Sequence, residues 1–226
     1  MSHELLIALV STLIGALIGM IGAGAGILAS LIPLELNGKR DHYERLAKIW
    51  GLLDFDTKRI DDLCQNHWKE TLEALQHVET DNVIPLHTFV RIPSTAWQVA
   101  VTNGDFMAQV PQGILNKLTE GYLAVDTLNE SVDHYARFTS TSRALSNFSE
   151  TVVTFYKVIN QNCSAITTHF QALKQQIADE EKVNANKAKS RQKRIEVYKW
   201  IGTVLFGIVI IVLIVLVIAT WKNLTP

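Results

Sequence analysis

Two stretches of this chain carry no ionisable side chain, and they constrain everything between them. Residues 201–220 are apolar apart from glycine and threonine, and Lys199-Trp200 and Trp221-Lys222 bracket them. Trp200 and Trp221 stand 21 positions apart. That is about 31 Å along a helix, against about 30 Å for the hydrocarbon core of a bilayer, so both indoles fall at membrane–water interfaces. Residues 199–222 are therefore expected to form a transmembrane helix anchored by Trp200 and Trp221.

The other stretch runs from Leu5 to Leu34. As a helix it would extend about 45 Å, so a span here must tilt, kink or project beyond the bilayer. Gly15, Gly19, Gly22, Gly24 and Gly26, with Ala16, Ala23 and Ala25 between them, allow another helix to approach the backbone closely. The expected partner is another copy of the chain. Pro33 predicts an end or a kink, because proline lacks an N–H and disfavours helical geometry at the residue before it. A cleaved signal peptide is the alternative, since Ala23-Gly24-Ala25 resembles a cleavage site. Met1-Ser2-His3-Glu4 lacks the basic residues such a peptide carries.

Orientation follows from the flanks. Lys39, Arg40, Arg45 and Lys48 follow the first stretch; Lys187, Lys189, Arg191, Lys193, Arg194 and Lys199 precede the second. The positive-inside rule then predicts a multi-pass protein of the cell inner membrane, with its middle in the cytoplasm and both termini outside. Overall charge adds nothing, since 21 basic side chains face 22 acidic ones. The asymmetry is local. Residues 37–178 hold 13 basic and 16 acidic side chains (13 − 16 = −3), whereas residues 179–199 hold 7 and 4 (7 − 4 = +3). The plain reading of the basic run is a stop-transfer signal attracted to anionic headgroups. The sharper one is a basic vestibule at a pore mouth.

The middle reads as helix and loop. Residues 40–78 predict one or two helices, with Leu46, Ile49, Leu52 and Leu53, then Ile60, Leu63, Cys64, Trp68, Leu72 and Leu75, recurring at three and four. Residues 78–94, with Pro85 and Pro93, predict a loop. Ser94 is placed to N-cap a short helix through Trp97 and Val101, ending at Asn103-Gly104. Pro111 suits the first turn of a helix whose stripe is Leu115, Leu118, Tyr122, Val125, Leu128, Val132 and Tyr135. Beyond the Ser/Thr cluster at 139–142, Leu145, Phe148, Val152, Phe155, Ile159, Cys163, Ile166, Phe170, Leu173 and Ile177 form a coiled-coil-like seam with one stutter near Ile159. That seam is open to packing in cis or in trans, and cis is favoured for its first half. From Ala178 to Tyr198 the pattern gives way to a helix polar all round, which calls for a solvent-bridging role.

The expected fold class is an all-α membrane protein: two transmembrane helices flank a helical cytoplasmic domain, and a long helix runs into the C-terminal span. Its segments are a Gly-rich transmembrane helix at 5–34, the cytoplasmic domain at 37–143, the heptad-patterned and then polar juxtamembrane helix at 144–198, and the transmembrane helix at 199–222.

No enzyme, cofactor or metal site is expected. The chain has no phosphate-binding loop, no zinc-binding helix motif and no nucleophile elbow. His67 and His77 lack carboxylates placed to complete a metal face, and Asp54, Asp56, Asp61 and Asp62 are read as surface groups paired with Lys58 and Arg59. Cys64 and Cys163 indicate neither a disulfide framework nor a zinc site. The sequons at Asn129, Asn147, Asn162 and Asn223 are read as chance. Neither apolar stretch holds a charged residue of the kind that marks a proton relay, which leaves a simple pore with Ser11, Thr12, Gly15, Gly19, Gly22 and Thr203 as wall candidates. Gly24 and Gly26 join them as helix-packing positions.

The order span, helical domain, span resembles the small two-span effectors of bacterial anti-phage defence systems, the channel effector of Hailong systems among them. The run Trp97, Gly104, Leu118, Tyr122, Leu128-Asn129 looks like a pattern in bacterial two-span proteins. The resemblance implies an oligomeric channel, gated by a nucleotide or oligonucleotide that a neighbouring enzyme makes, and it carries no residue role over. The expected partners are the lipid bilayer, other copies of the chain, and that ligand or a partner protein. A non-conducting scaffold that recruits a soluble protein is the alternative, with a fusion-like surface protein behind it.

Overall fold

The computed structural model describes residues 32–81 and 84–224 continuously and, before them, residues 12, 15, 16, 19, 20, 22–24, 26, 27 and 30. The described positions before residue 32 are helical. Five helices follow: α1 (Ile32–Asp81), α2 (Thr95–Thr102), α3 (Gly104–Gln109), α4 (Gln112–Thr141) and α5 (Phe148–Leu224). No strand occurs among the described residues.

Residues 40–78 prove to be part of one 50-residue helix, since no Gly-Pro break interrupts the buried line Leu46, Ile49, Leu53, Ile60, Cys64, His67, Thr71 and Ala74. Pro33 does not end a helix. Helical residues are described on both sides of it, before residue 32 and through α1. Pro111 precedes α4 as its N-cap. The N-cap of α2 is Ser94, but its side chain makes no capping bond. The carboxylate of Asp56 does that work from α1, accepting the backbone N–H of Ala96. Between α2 and α4 lies a helix the sequence pattern does not announce, α3, capped by Asn103, whose side chain accepts the Phe106 N–H at 2.9 Å.

By compactness the chain divides into two units. One is Arg45–Asn184; the other joins residues 1–44 to residues 185–226.

The unit Arg45–Asn184, the helical domain, has a conventional core. Leu118, Tyr122, Val125, Leu128, Val132 and Tyr135 of α4 are buried, as the stripe predicted. On α5 the buried residues are Val152, Tyr156, Ile159, Cys163, Ile166, Phe170, Leu173 and Ile177, spaced 4, 3, 4, 3, 4, 3 and 4. Tyr156 takes the place expected for Phe155, so there is no stutter at Ile159. Both halves of this seam are buried within the chain, and the second half needs no other subunit to cover it. Each fully buried Ile or Leu contributes about 1.5–3 kcal/mol relative to exposure. Gly121 permits the tightest approach: a Cβ there would meet the Phe170 ring at 3.0 Å.

The loop 84–94 has no regular structure, yet buried side chains take up backbone groups at Pro85, His87, Val90 and Ile92. Asn129 accepts the Ile92 N–H at 2.7 Å and donates to the Ile92 carbonyl at 2.9 Å, as a neighbouring strand would. His67 donates Nε2–H to the Val90 carbonyl at 2.7 Å, because a carbonyl can only accept. Tyr135 donates to the His87 carbonyl at 3.0 Å, Tyr156 donates to the Pro85 carbonyl, and the two phenols lie 3.1 Å apart. Two hydroxyl protons serve these three contacts, so one contact always lacks a proton.

In the other unit, the polar stretch of α5 is not polar all round. Ala188 and Ile195 are buried, at 5% and 1% exposure, and Asn184 is buried at the edge of the helical domain. Small or amide side chains carry this line, which is why it reads as polar. The opening turns of α1 run beside it: Arg40 donates to Gln192 at 2.8 Å, and the Lys187 ammonium sits 5.4 Å from the Tyr43 ring centre.

Candidate functional site

Among the described residues, α5 alone contains a segment long and apolar enough to cross a membrane, and only 11% of its most apolar part is buried. Phe206, Ile211, Ile214, Val215 and Ile218 are each more than half exposed. In water such a surface would be costly, so the segment associates with a membrane. Trp200 is 69% exposed at its start; Trp221 falls in α5, with its side chain outside the described residues.

Thr203 is exposed, and its hydroxyl donates to the Lys199 carbonyl at 2.9 Å, which leaves its lone pairs to accept. Ser11 lies outside the described residues. Thr12, Gly15, Gly19, Gly22, Gly24 and Gly26 are helical, and a Cβ built on any of these five glycines would meet nothing within 4 Å. Gly51 and Gly121, in the helical domain, each have a neighbour at that distance.

The basic run divides by partner. Arg191 lies close enough to lower the Glu35 pKa, behind the larger effect of Lys39, whose ammonium is 2.6 Å from that carboxylate. Lys187 is engaged with Tyr43. Lys189, Lys193, Arg194 and Lys199 are exposed and make no ion pair among the described residues.

Three concavities stand out among the described residues of the helical domain. One, of about 690 Å³, lies between α4 and α5 and presents Lys117, Glu120, Asn160, Gln161, Thr168 and His169. A second of about 310 Å³ is lined by Glu130, His134 and Phe155, and a third of about 240 Å³ by Trp68, Cys64 and Cys163. At about 690 Å³ the first has the volume of a small-molecule site, and its lining sets Lys117 and Glu120 among amide, hydroxyl and alanine side chains.

Several expectations about chemistry need correction or refinement. Asp56 is not a surface group: it is 5% exposed and accepts the Tyr122 hydroxyl at 3.0 Å. Burial raises its pKa, against the opposing pull of the Tyr122 and Ala96 hydrogen bonds and the Arg59 charge. Asp54 does pair with Lys58, as expected. Cys64 and Cys163 are free and buried, and their thiols meet: the hydrogen bond to Cys163, then burial, pushes the Cys64 pKa far up. No group of three or more metal-ligating side chains occurs among the described residues. The Asn129 sequon is sealed, because both ends of its amide are spent on Ile92.

No protein family, curated protein or solved structure matches this chain. The reading of function rests on the geometry above.

Proposed function

We propose that the chain is a homo-oligomeric membrane channel or pore effector, gated through its helical domain and serving bacterial anti-phage defence. The observation that carries the proposal is the contrast between glycines. Gly51 and Gly121, inside helices of the helical domain, are packed against neighbours and Gly104 and Gly113, at its helix starts, are not, whereas Gly15, Gly19, Gly22, Gly24 and Gly26 face open space as one run of five. A helix with that many unfilled glycines gains most from another helix laid against its backbone. Two spans are too few to enclose a pathway, so a pore requires several copies.

In this reading residues 5–34 form a second span, the helical domain is cytoplasmic, and both termini are outside, as the basic flanks favour. Ser11, Thr12 and the glycines supply the wall, and an apolar constriction gates by dewetting. A nucleotide or oligonucleotide in the 690 Å³ groove would bias the gate by binding one state more tightly. The scaffold reading draws on a different observation. Phe55 and Leu52 on α1 are 66% and 47% exposed, and a soluble partner could cover them.

Native mass spectrometry in mild detergent separates these readings. Four or more copies, followed by single-channel currents in a planar bilayer, support the channel. A monomer or dimer that stays silent removes it and leaves the scaffold.

A further inference from the structure

We propose that Lys189, Lys193, Arg194 and Lys199 form a collar that binds anionic phospholipid headgroups where α5 meets the membrane. The inference holds whether or not the chain conducts.

The nearby carboxylates are already engaged. Glu35 holds Lys39 at 2.6 Å, Arg40 holds Asp41 at 2.6 Å and Glu44 at 3.5 Å, and Glu196 accepts from Gln192 at 2.8 Å. The four collar residues are exposed and have no such partner among the described residues. Four exposed cations without an ion pair on one short stretch of helix repel one another weakly in water, and a source of negative charge beside them stabilises the arrangement.

Depth identifies that source. Trp200, 69% exposed, marks the edge of the apolar run. At helical rise Lys199 lies about 1.5 Å above it, Arg194 about 9 Å, Lys193 about 10 Å and Lys189 about 16 Å. The headgroup layer is about 5–8 Å thick on each face of a bilayer. Lys199 therefore stands inside that layer, Arg194 and Lys193 reach its outer border, and Lys189 lies within about one Debye length (8 Å) of that border.

At about 100° per residue, Lys193 is turned about 40° from Lys189, Arg194 about 140° and Lys199 about 280°. Lys189, Lys193 and Arg194 share the side turned away from the buried Ala188 and Ile195, and Lys199 stands on another side at the level of the headgroups.

The test uses full-length protein in nanodiscs of mixed phosphatidylcholine and phosphatidylglycerol, with co-released lipids counted by native mass spectrometry. The expected result is phosphatidylglycerol enriched roughly fivefold over its bulk fraction, the effect of one cation at an anionic surface. Enrichment should fall towards bulk in 0.5 M salt (roughly) for the native chain, and in the combined K189Q/K193Q/R194Q/K199Q variant at low salt. No enrichment, or enrichment unchanged by both salt and substitution, overturns the proposal. The salt arm needs no variant, so it decides even if the substituted chain fails to insert. Binding of a single-stranded oligonucleotide to nanodiscs of phosphatidylcholine alone, with no lipid enrichment in the mixed discs, would overturn it in favour of a nucleic-acid site.

Discussion

The helical domain and the apolar segment of α5 are both helical and both rich in Ile, Leu and Val, yet they differ in what covers those residues. In the domain, Ile159, Ile166 and Leu173 are fully buried, a would-be Cβ at Gly121 meets Phe170, and even an irregular loop has backbone groups taken up by side chains. Along the apolar segment Ile211, Val215 and Ile218 are 59–62% exposed. The first region is finished within one chain. The second is left open among the described residues, to be covered by lipid and, in the proposed assembly, by other copies.

That difference can be broken at several points. The largest expected effect is on assembly: Gly19→Leu with Gly22→Leu should abolish the high-mass species in native mass spectrometry and any current, while thermal unfolding of the helical domain stays put. An unchanged mass would show that the glycine stretch does not join copies. Next comes the core. Ile166→Ala should cost about 2–5 kcal/mol, since a cavity opens where nothing can collapse. At about 2–4 °C per kcal/mol for a domain of this size, a fall of roughly 10 °C in Tm would follow, read by circular dichroism. Ile214→Ala, at a site 53% exposed within the chain, should leave that transition where it is.

Asn129→Ala leaves the Ile92 N–H and C=O buried without partners, at about 1–3 kcal/mol each. It should also raise proteolytic nicking within 84–94, a sign that the loop has come loose. A smaller contrast sets the glycines against each other. Gly121→Ala forces the Phe170 ring to shift and should destabilise by about 1 kcal/mol or more, whereas Gly19→Ala meets nothing in the chain. Equal effects would mean that the two glycines are not packed differently.

The smallest effect concerns Asp56. Its folded pKa is raised by burial, so its protonation favours the fold below the unfolded carboxylate pKa of about 3.9, and that contribution is lost as pH rises through the folded value. Near neutrality the ionised group is a cost. Asp56→Asn keeps an acceptor for Tyr122 and should raise Tm by about 1–3 °C at pH 7, with less gain at pH 4 (approximately). A fall in Tm at pH 7 would mean that the charge, through Ala96 and Arg59, is worth more than its burial costs.

What the amino-acid order determined by itself is periodicity and composition. The apolar run beside Trp200, the stripe from Leu118 to Tyr135, the loop around Pro85 and Pro93 and the break after Thr141 are local properties, and helices of 3.6 residues per turn display them directly. Tertiary structure decided everything that needs a distant partner. Asp56 and Tyr122 are 66 positions apart, Asn129 and Ile92 37, and no local pattern says that a carboxylate or an amide will be buried against such a group. Tyr156 was hidden beside Phe155 because its hydroxyl is satisfied only by a carbonyl 71 positions earlier. The basic run reads as uniform in sequence and divides only when Tyr43 and Glu35 come alongside it. A repeat states which face of a helix avoids water; the folded chain decides which side chains lie against that face, and whether any remain unpaired.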